Sequence, residues 1–89
     1  EIDPVFEGAE FVTNSEGRSG FNSVVGILVT EVVSGSPAAA RGLRGGDVIT
    51  HINRQRVWSV SEAIDVIESA RSVILQVQRG NRSVLILMR

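Results

Sequence analysis

The sequence predicts an α+β domain, a small and mostly antiparallel sheet or partial barrel closed by two helices. Three observations carry this. Val24–Val33 (VVGILVTEVV) is a β-branched, apolar run that suits a strand. Two segments carry helix-start signals: Ser36 before Pro37 and three alanines, and Ser59 three residues ahead of Glu62. Near the C-terminal end, the runs VILQVQ and SVLILM flank Gly80-Asn81, a pair suited to a tight hairpin.

Read in order, residues 1–6 are the end of a linker and residues 7–89 the domain. Glu7–Thr13 is a short strand. Asn14–Ser23 is rich in Gly, Ser and Asn and reads as a mobile loop, with Phe21 an apolar residue able to fold back. Gly26 near the start of the next strand signals either a bulge or close approach by another backbone. A helix of barely two turns follows from Pro37, stopped by Gly42 in the left-handed conformation. Asp47–Ile52 is a strand, Asn53–Gln55 a turn, and Val57 continues beyond it. The longer helix runs from Val60 to about Ala70. Val73–Gln78 and Ser83–Met88 are the last strands.

Composition excludes several functions. At 89 residues the chain holds one domain. With 43% hydrophobic and 21% charged residues it is a folding sequence rather than a disordered one. The absence of cysteine removes disulfides, thiol nucleophiles and cysteine zinc sites. A net charge of -1 and few aromatics argue against a nucleic-acid binder. No apolar run reaches membrane-spanning length, so no stable membrane insertion is expected. His51 is the only histidine and reads as a surface or half-buried strand residue without a catalytic partner. No serine sits in a Gly-x-Ser-x-Gly elbow, the carboxylates lack metal-ligand spacing, and the Gly-rich RGLRGGD lacks a phosphate-loop ending. The expectation is no catalytic residue, no metal and no cofactor. Glu1 is not a natural start, so the chain reads as a piece of a larger protein.

The chemistry that remains is peptide capture. If a loop tightens into a strand at Gly26, the N–H groups of Val25, Gly26 and Ile27 can converge as a nest for a carboxylate. An extended peptide then pairs with the strand edge at Val25–Val29. Alternation puts Val25, Ile27 and Val29 on one side, facing a pocket, with Leu28 and Thr30 on the other. On the long helix, Val60, Ile64 and Ile67 are assigned to the groove, and Ala63, Val66 and Ala70 mainly to the core. The competing reading of the same residues is an ordinary core strand with a Gly bulge.

These segments resemble the PDZ family, in particular the PDZ domains of bacterial HtrA/DegP/DegQ-type envelope proteases. Gly35-Ser36-Pro37-Ala38-Ala39, Gly42-Leu43 and Gly46-Asp47-Val48-Ile49 match the family's GSPA-A-GL-GD-I run, and Asn53 follows where the family often has Asn. Val25-Gly26-Ile27 is similar to its hydrophobic-Gly-hydrophobic carboxylate loop, although many members have Gly-Leu-Gly-Phe there. The resemblance covers about Gly8 to Arg89. It implies Val25, Gly26, Ile27, Leu28, Val29, Val60, Ile64 and Ile67 as peptide-binding residues, Asp47 as structural, and Arg18 as a candidate cationic helper. The opening Phe6…Gly8-Ala9-Glu10 and the ending SVLILMR resemble those of a second, C-terminal PDZ domain. The implied setting is the periplasm, beside a trypsin-like serine endopeptidase domain outside this chain. Expected partners are peptide C-termini or unfolded segments and the parent's protease and PDZ domains. The alternative role is an oligomer-assembly or interdomain docking module, with Leu28 as the exposed contact.

Overall fold

The computed structural model describes residues 4–15 and 24–89. The expected mobile loop, with Arg18 and Phe21, lies mostly outside the described residues. A 3₁₀ turn at Pro4–Phe6 leads into β1 (Ala9–Asn14). β2 (Gly26–Val32), α1 (Pro37–Arg41), β3 (Val48–Ile52), β4 (Gln55–Arg56), α2 (Val60–Glu68), β5 (Ile74–Arg79) and β6 (Arg82–Leu87) follow. Among the described residues the strands make one six-stranded sheet, ordered β1-β2-β3-β5-β6, with β4 paired to β3. Every pairing is antiparallel. The α+β class stands.

The short-range signals act as their chemistry requires. Ser36 Oγ accepts the Ala39 N–H at 3.3 Å, Pro37 opens α1, and Gly42 closes it at φ 107°. Ser59 Oγ accepts the Glu62 N–H at 3.2 Å. The reciprocal half of this capping box is displaced by one residue: Glu62 Oε1 accepts from Trp58 N at 2.6 Å rather than from Ser59. α2 ends at Glu68, two residues before the expected Ala70. Arg79 and Arg82 face each other across Gly80-Asn81, so the last hairpin has a two-residue turn. A second two-residue turn, Asn53-Arg54, joins β3 to β4 with both residues left-handed. Asn53 also binds across to the start of β5: its Nδ2 donates to Ser72 O and its Oδ1 accepts from Ile74 N, both at 2.8 Å.

The core lies between the inner face of the sheet and α2. Ile27, Val29, Ile49, Ile52, Leu75 and Val77 supply the sheet side, and Ala63 and Ile67 the helix side. Phe6, in the stretch read as linker, belongs to the same cluster, and Val5 packs against it. Phe6 meets Phe11 edge-on, ring centroids 5.9 Å apart and 71° between planes.

One buried ion pair fastens the β2–β3 connection. Asp47 is 1% exposed and takes both oxygens' bonds from Arg79, Nε to Oδ1 and Nη2 to Oδ2, each at 2.8 Å. Oδ2 also accepts from Arg44 N at 3.0 Å, and Arg79 Nη2 reaches Gly42 O at 2.9 Å. The hydrogen bond to Asp47 holds the Arg79 guanidinium above its ordinary pKa. This is the structural role expected of Asp47. Removing one partner strands the other, so Asp47→Ala should cost about 3–5 kcal/mol. Denaturant unfolding should show a lower midpoint at unchanged slope.

Candidate functional site

Strand addition needs a strand with one edge free, and β2 has none. β1 pairs along one side, from Asn14 opposite Gly26 to Ala9 opposite Val32. β3 occupies the other, with Ile27 opposite Ile49 and Leu28 opposite Val48. Val29 is held from the same side, its N–H on Asp47 O at 2.8 Å and its carbonyl accepting Gly46 N at 2.7 Å. The expected peptide-pairing edge at Val25–Val29 is therefore corrected.

The nest falls with it. Gly26 and Ile27 lie in extended strand, where successive N–H groups point to opposite edges and cannot converge. Gly26 serves packing instead. A Cβ there would sit 2.4 Å from Ile49 O and 3.0 Å from Val48 Cγ1. This is the close approach by another backbone that the sequence left open, with β3 as the neighbour. Val25 O is already taken by Arg56 Nη2 at 2.7 Å. Leu28, expected to be exposed, is 4% exposed, on the face it shares with the buried Val48.

The end strand of the sheet beside α2 is β1. Ala9 and Phe11 pack against the core and Thr13 reaches α2, so these three share the inner face, with Glu10 and Val12 turned outward. α2 runs antiparallel to β1. Its first residue, Val60, donates its N–H to Thr13 Oγ1 at 3.1 Å. Its later residues Ile64 and Ile67 meet Phe6 and Phe11 around a cavity floored by Ile27, Ile49, Ile52 and Leu75. The lining side chains are all apolar. The free space is about 20 Å³, room for about one water.

Of the expected helix residues, Ile64 and Ile67 line this cavity, Ala63 joins them, and Val60 packs on the core beside it. Ile27 stays in the site as floor rather than edge, and Val29 is core. Phe6, Phe11 and the β1 edge were missed. Their sequence signal was the alternation Ala9, Phe11, Thr13 directly after Gly8. Gly8, at φ +96°, turns the chain into β1 so close to Ser36 that a Cβ would meet Ser36 Cβ at 2.2 Å. Among the described residues, no three of His, Cys, Asp and Glu gather as a metal site. His51 Nδ1 is paired with Thr50 Oγ1 at 2.9 Å.

A family model described as PDZ domain matches residues 28–79. The chain belongs to the PDZ family. It is 45% identical over 89 residues to the periplasmic pH-dependent serine endoprotease DegQ of Escherichia coli (strain K12), across 99% of this chain and 19% of that protein. Against the periplasmic serine endoprotease DegP of the same strain, identity is 37% over 83 residues, 92% of this chain and 16% of that protein. The chain thus spans less than a fifth of these relatives' length. Among solved structures, the HtrA3 PDZ domain bound to a phage-derived ligand (FGRWV) superposes with a TM-score of 0.73 at 28% identity, over 90% of this chain and 78% of that one. The HtrA-type protease AlgW with decapeptide gives 0.67 at 26% identity, over 89% and 26%.

The two glycine readings separate experimentally. With β3 against Gly26, Gly26→Ala should destabilise the domain by about 1–3 kcal/mol through overpacking. Thermal unfolding without any peptide present should register this loss.

Proposed function

We propose that this domain binds an extended peptide as an added strand on the outer edge of β1, with its terminal side chain lodged under α2. The observation that carries this reading is the position of β1 at the end of the sheet, next to an apolar cavity walled by α2. Because the sheet is antiparallel throughout, an added strand would run opposite to β1. Its C-terminus then lies near Glu7–Ala9, at the Phe6 end, where Ile64 and Ile67 enclose the cavity. Main-chain bonds along Ala9–Thr13 would supply affinity, and Phe6, Phe11, Ile64 and Ile67 the preference for an apolar residue. The carbonyls of Glu7 and Gly8 are engaged by Ala38 N and Val33 N, so a carboxylate would not face them unpaired. The exposed acid of Glu7 opposes a terminal carboxylate there, which keeps internal extended segments within the reading. That the similar HtrA3 PDZ domain is bound to a phage-derived ligand, and the similar HtrA-type protease AlgW is seen with a decapeptide, supports a peptide as the ligand.

The parent, on this reading, is a serine endopeptidase of the bacterial periplasm acting in protein quality control, as the names of the relatives suggest. This domain is a non-catalytic part of it, the second PDZ domain, that recognises or relays substrate. Its partners are C-termini or unfolded segments and the parent's protease and PDZ domains.

A second reading has its own observation. Ile74, Leu85 and Leu87 share the outer face of β5 and β6, with Leu85 70% and Leu87 63% exposed. Such a patch suits assembly or interdomain docking, the role sought at Leu28.

Two measurements separate the readings. An NMR titration with peptides ending in a free aliphatic residue should shift Ala9–Thr13 and Ile64–Ile67, and Phe11→Ala should weaken binding about tenfold or more. Amidated controls report how much the carboxylate contributes. Shifts centred on Val25–Val29 with β1 silent would defeat the proposal. For assembly, Leu85→Glu in the full-length parent should lower its mass in light scattering while leaving the domain's peptide titration unchanged.

A further inference from the structure

The two ends of α2 are held very differently. At its C-terminal end, the Arg89 side chain donates from Nη2 to Ile67 O at 3.0 Å and Ala70 O at 2.6 Å, and from Nε to Arg71 O at 3.2 Å. These bonds are charge-assisted, and a cation at this end also complements the helix dipole. At its N-terminal end, the chain is anchored before the helix by the buried Val57, whose N–H donates to Thr50 O at 2.9 Å. The tie of the helix itself to β1 is the neutral bond from Val60 N to Thr13 Oγ1, in exposed surroundings. The first N–H groups of a helix lack partners within it, so Val60 needs an acceptor from elsewhere, and β1 supplies it. Between these ends the groove has free space for about one water.

We infer that the Thr13–Val60 hydrogen bond is a latch that keeps the groove closed. Peptide entry requires the N-terminal end of α2 to swing away from β1 about its Arg89-held C-terminal end. This inference rests on the strand-addition reading above for its ligand, though the latch itself is a property of the free domain. The added strand would pass Thr13 as it runs along β1 from Ala9, so the latch stands across its path. If the open form is the minor one, apparent affinity scales with its population. Loss of one neutral hydrogen bond should raise that population by about two- to tenfold.

The test compares wild type with Thr13→Val, which keeps the shape and β propensity but lacks the acceptor, and Thr13→Ser, which keeps the hydroxyl. Amide exchange at Val60 is measured without ligand, and affinity is measured with a peptide ending in a free aliphatic residue. Thr13→Val should speed Val60 exchange and tighten binding, each by about two- to tenfold, with Thr13→Ser like wild type. Unchanged Val60 exchange in Thr13→Val overturns the latch, as does faster exchange with unaltered affinity. If Thr13→Ser behaves like Thr13→Val, the threonine methyl rather than the hydroxyl is responsible, and the latch is again overturned. Faster Val60 exchange with no peptide bound by any of the three proteins supports the latch and removes the strand-addition reading instead.

Discussion

β2 is paired on both sides, and this constraint decides where everything else goes. Its approach to β3 is close enough that position 26 has no room for a Cβ against the Ile49 carbonyl. Val29 exchanges bonds with Asp47 and Gly46 at the other end of the contact. With both edges of β2 consumed, β1 becomes an end strand, and β6 is the end strand on the opposite side. On the proposed reading, strand pairing with a peptide falls to one of the least conspicuous segments of the chain rather than to the most strand-like.

The placement of α2 follows from ties outside the sheet's own hydrogen bonding. Asp47 and Arg79 join the end of β5 to the turn before β3 and, through Gly42 O, to the end of α1. Arg41 Nε reaches Met88 O at 2.7 Å, and Arg89 continues from there to the end of α2. The arginines used here are not interchangeable with a point charge. Arg79 presents a fork to one carboxylate while reaching a carbonyl, and Arg89 spans three carbonyls with one planar group. Helix and sheet are thus connected at the C-terminal end of α2, close to the cavity wall formed by Ile67.

Much of the fold was legible because its signals are local. Ser36, Pro37, Gly42, Ser59 and Gly80-Asn81 each act within a few residues, and each does what its chemistry suggests. Asp47 was assignable as structural only by resemblance, since its partner Arg79 is 32 residues away. The site was half legible. Ile64 and Ile67 could be placed by helical spacing against an apolar face. The edge could not, because a period of two tells which face a strand residue occupies and says nothing about which neighbours the strand has. Leu28 shows the cost: its outward direction was read correctly as opposite to Ile27, but the sequence does not reveal that this face is covered. Gly26 was ambiguous for the same reason, since a glycine that admits a ligand and one that admits a neighbouring strand look alike.

An end strand is a liability as well as an opportunity, because unpaired backbone groups recruit other chains indiscriminately. The two ends of this sheet meet it differently. β6 carries its exposed leucines on the face, so they offer a partner flat apolar area rather than a pocket. β1 is short, follows a bend at Gly8, has a register shift at Glu10–Phe11 and lies beside a helix tied to its far end. Those features shorten the usable edge to a few residues. At about 3.3 Å per residue, Ala9 to Thr13 spans roughly 13 Å, enough for a short segment. On the proposed reading, an edge kept this short and overlooked by α2 would select by a single apolar side chain, and would leave longer flat strands without a template.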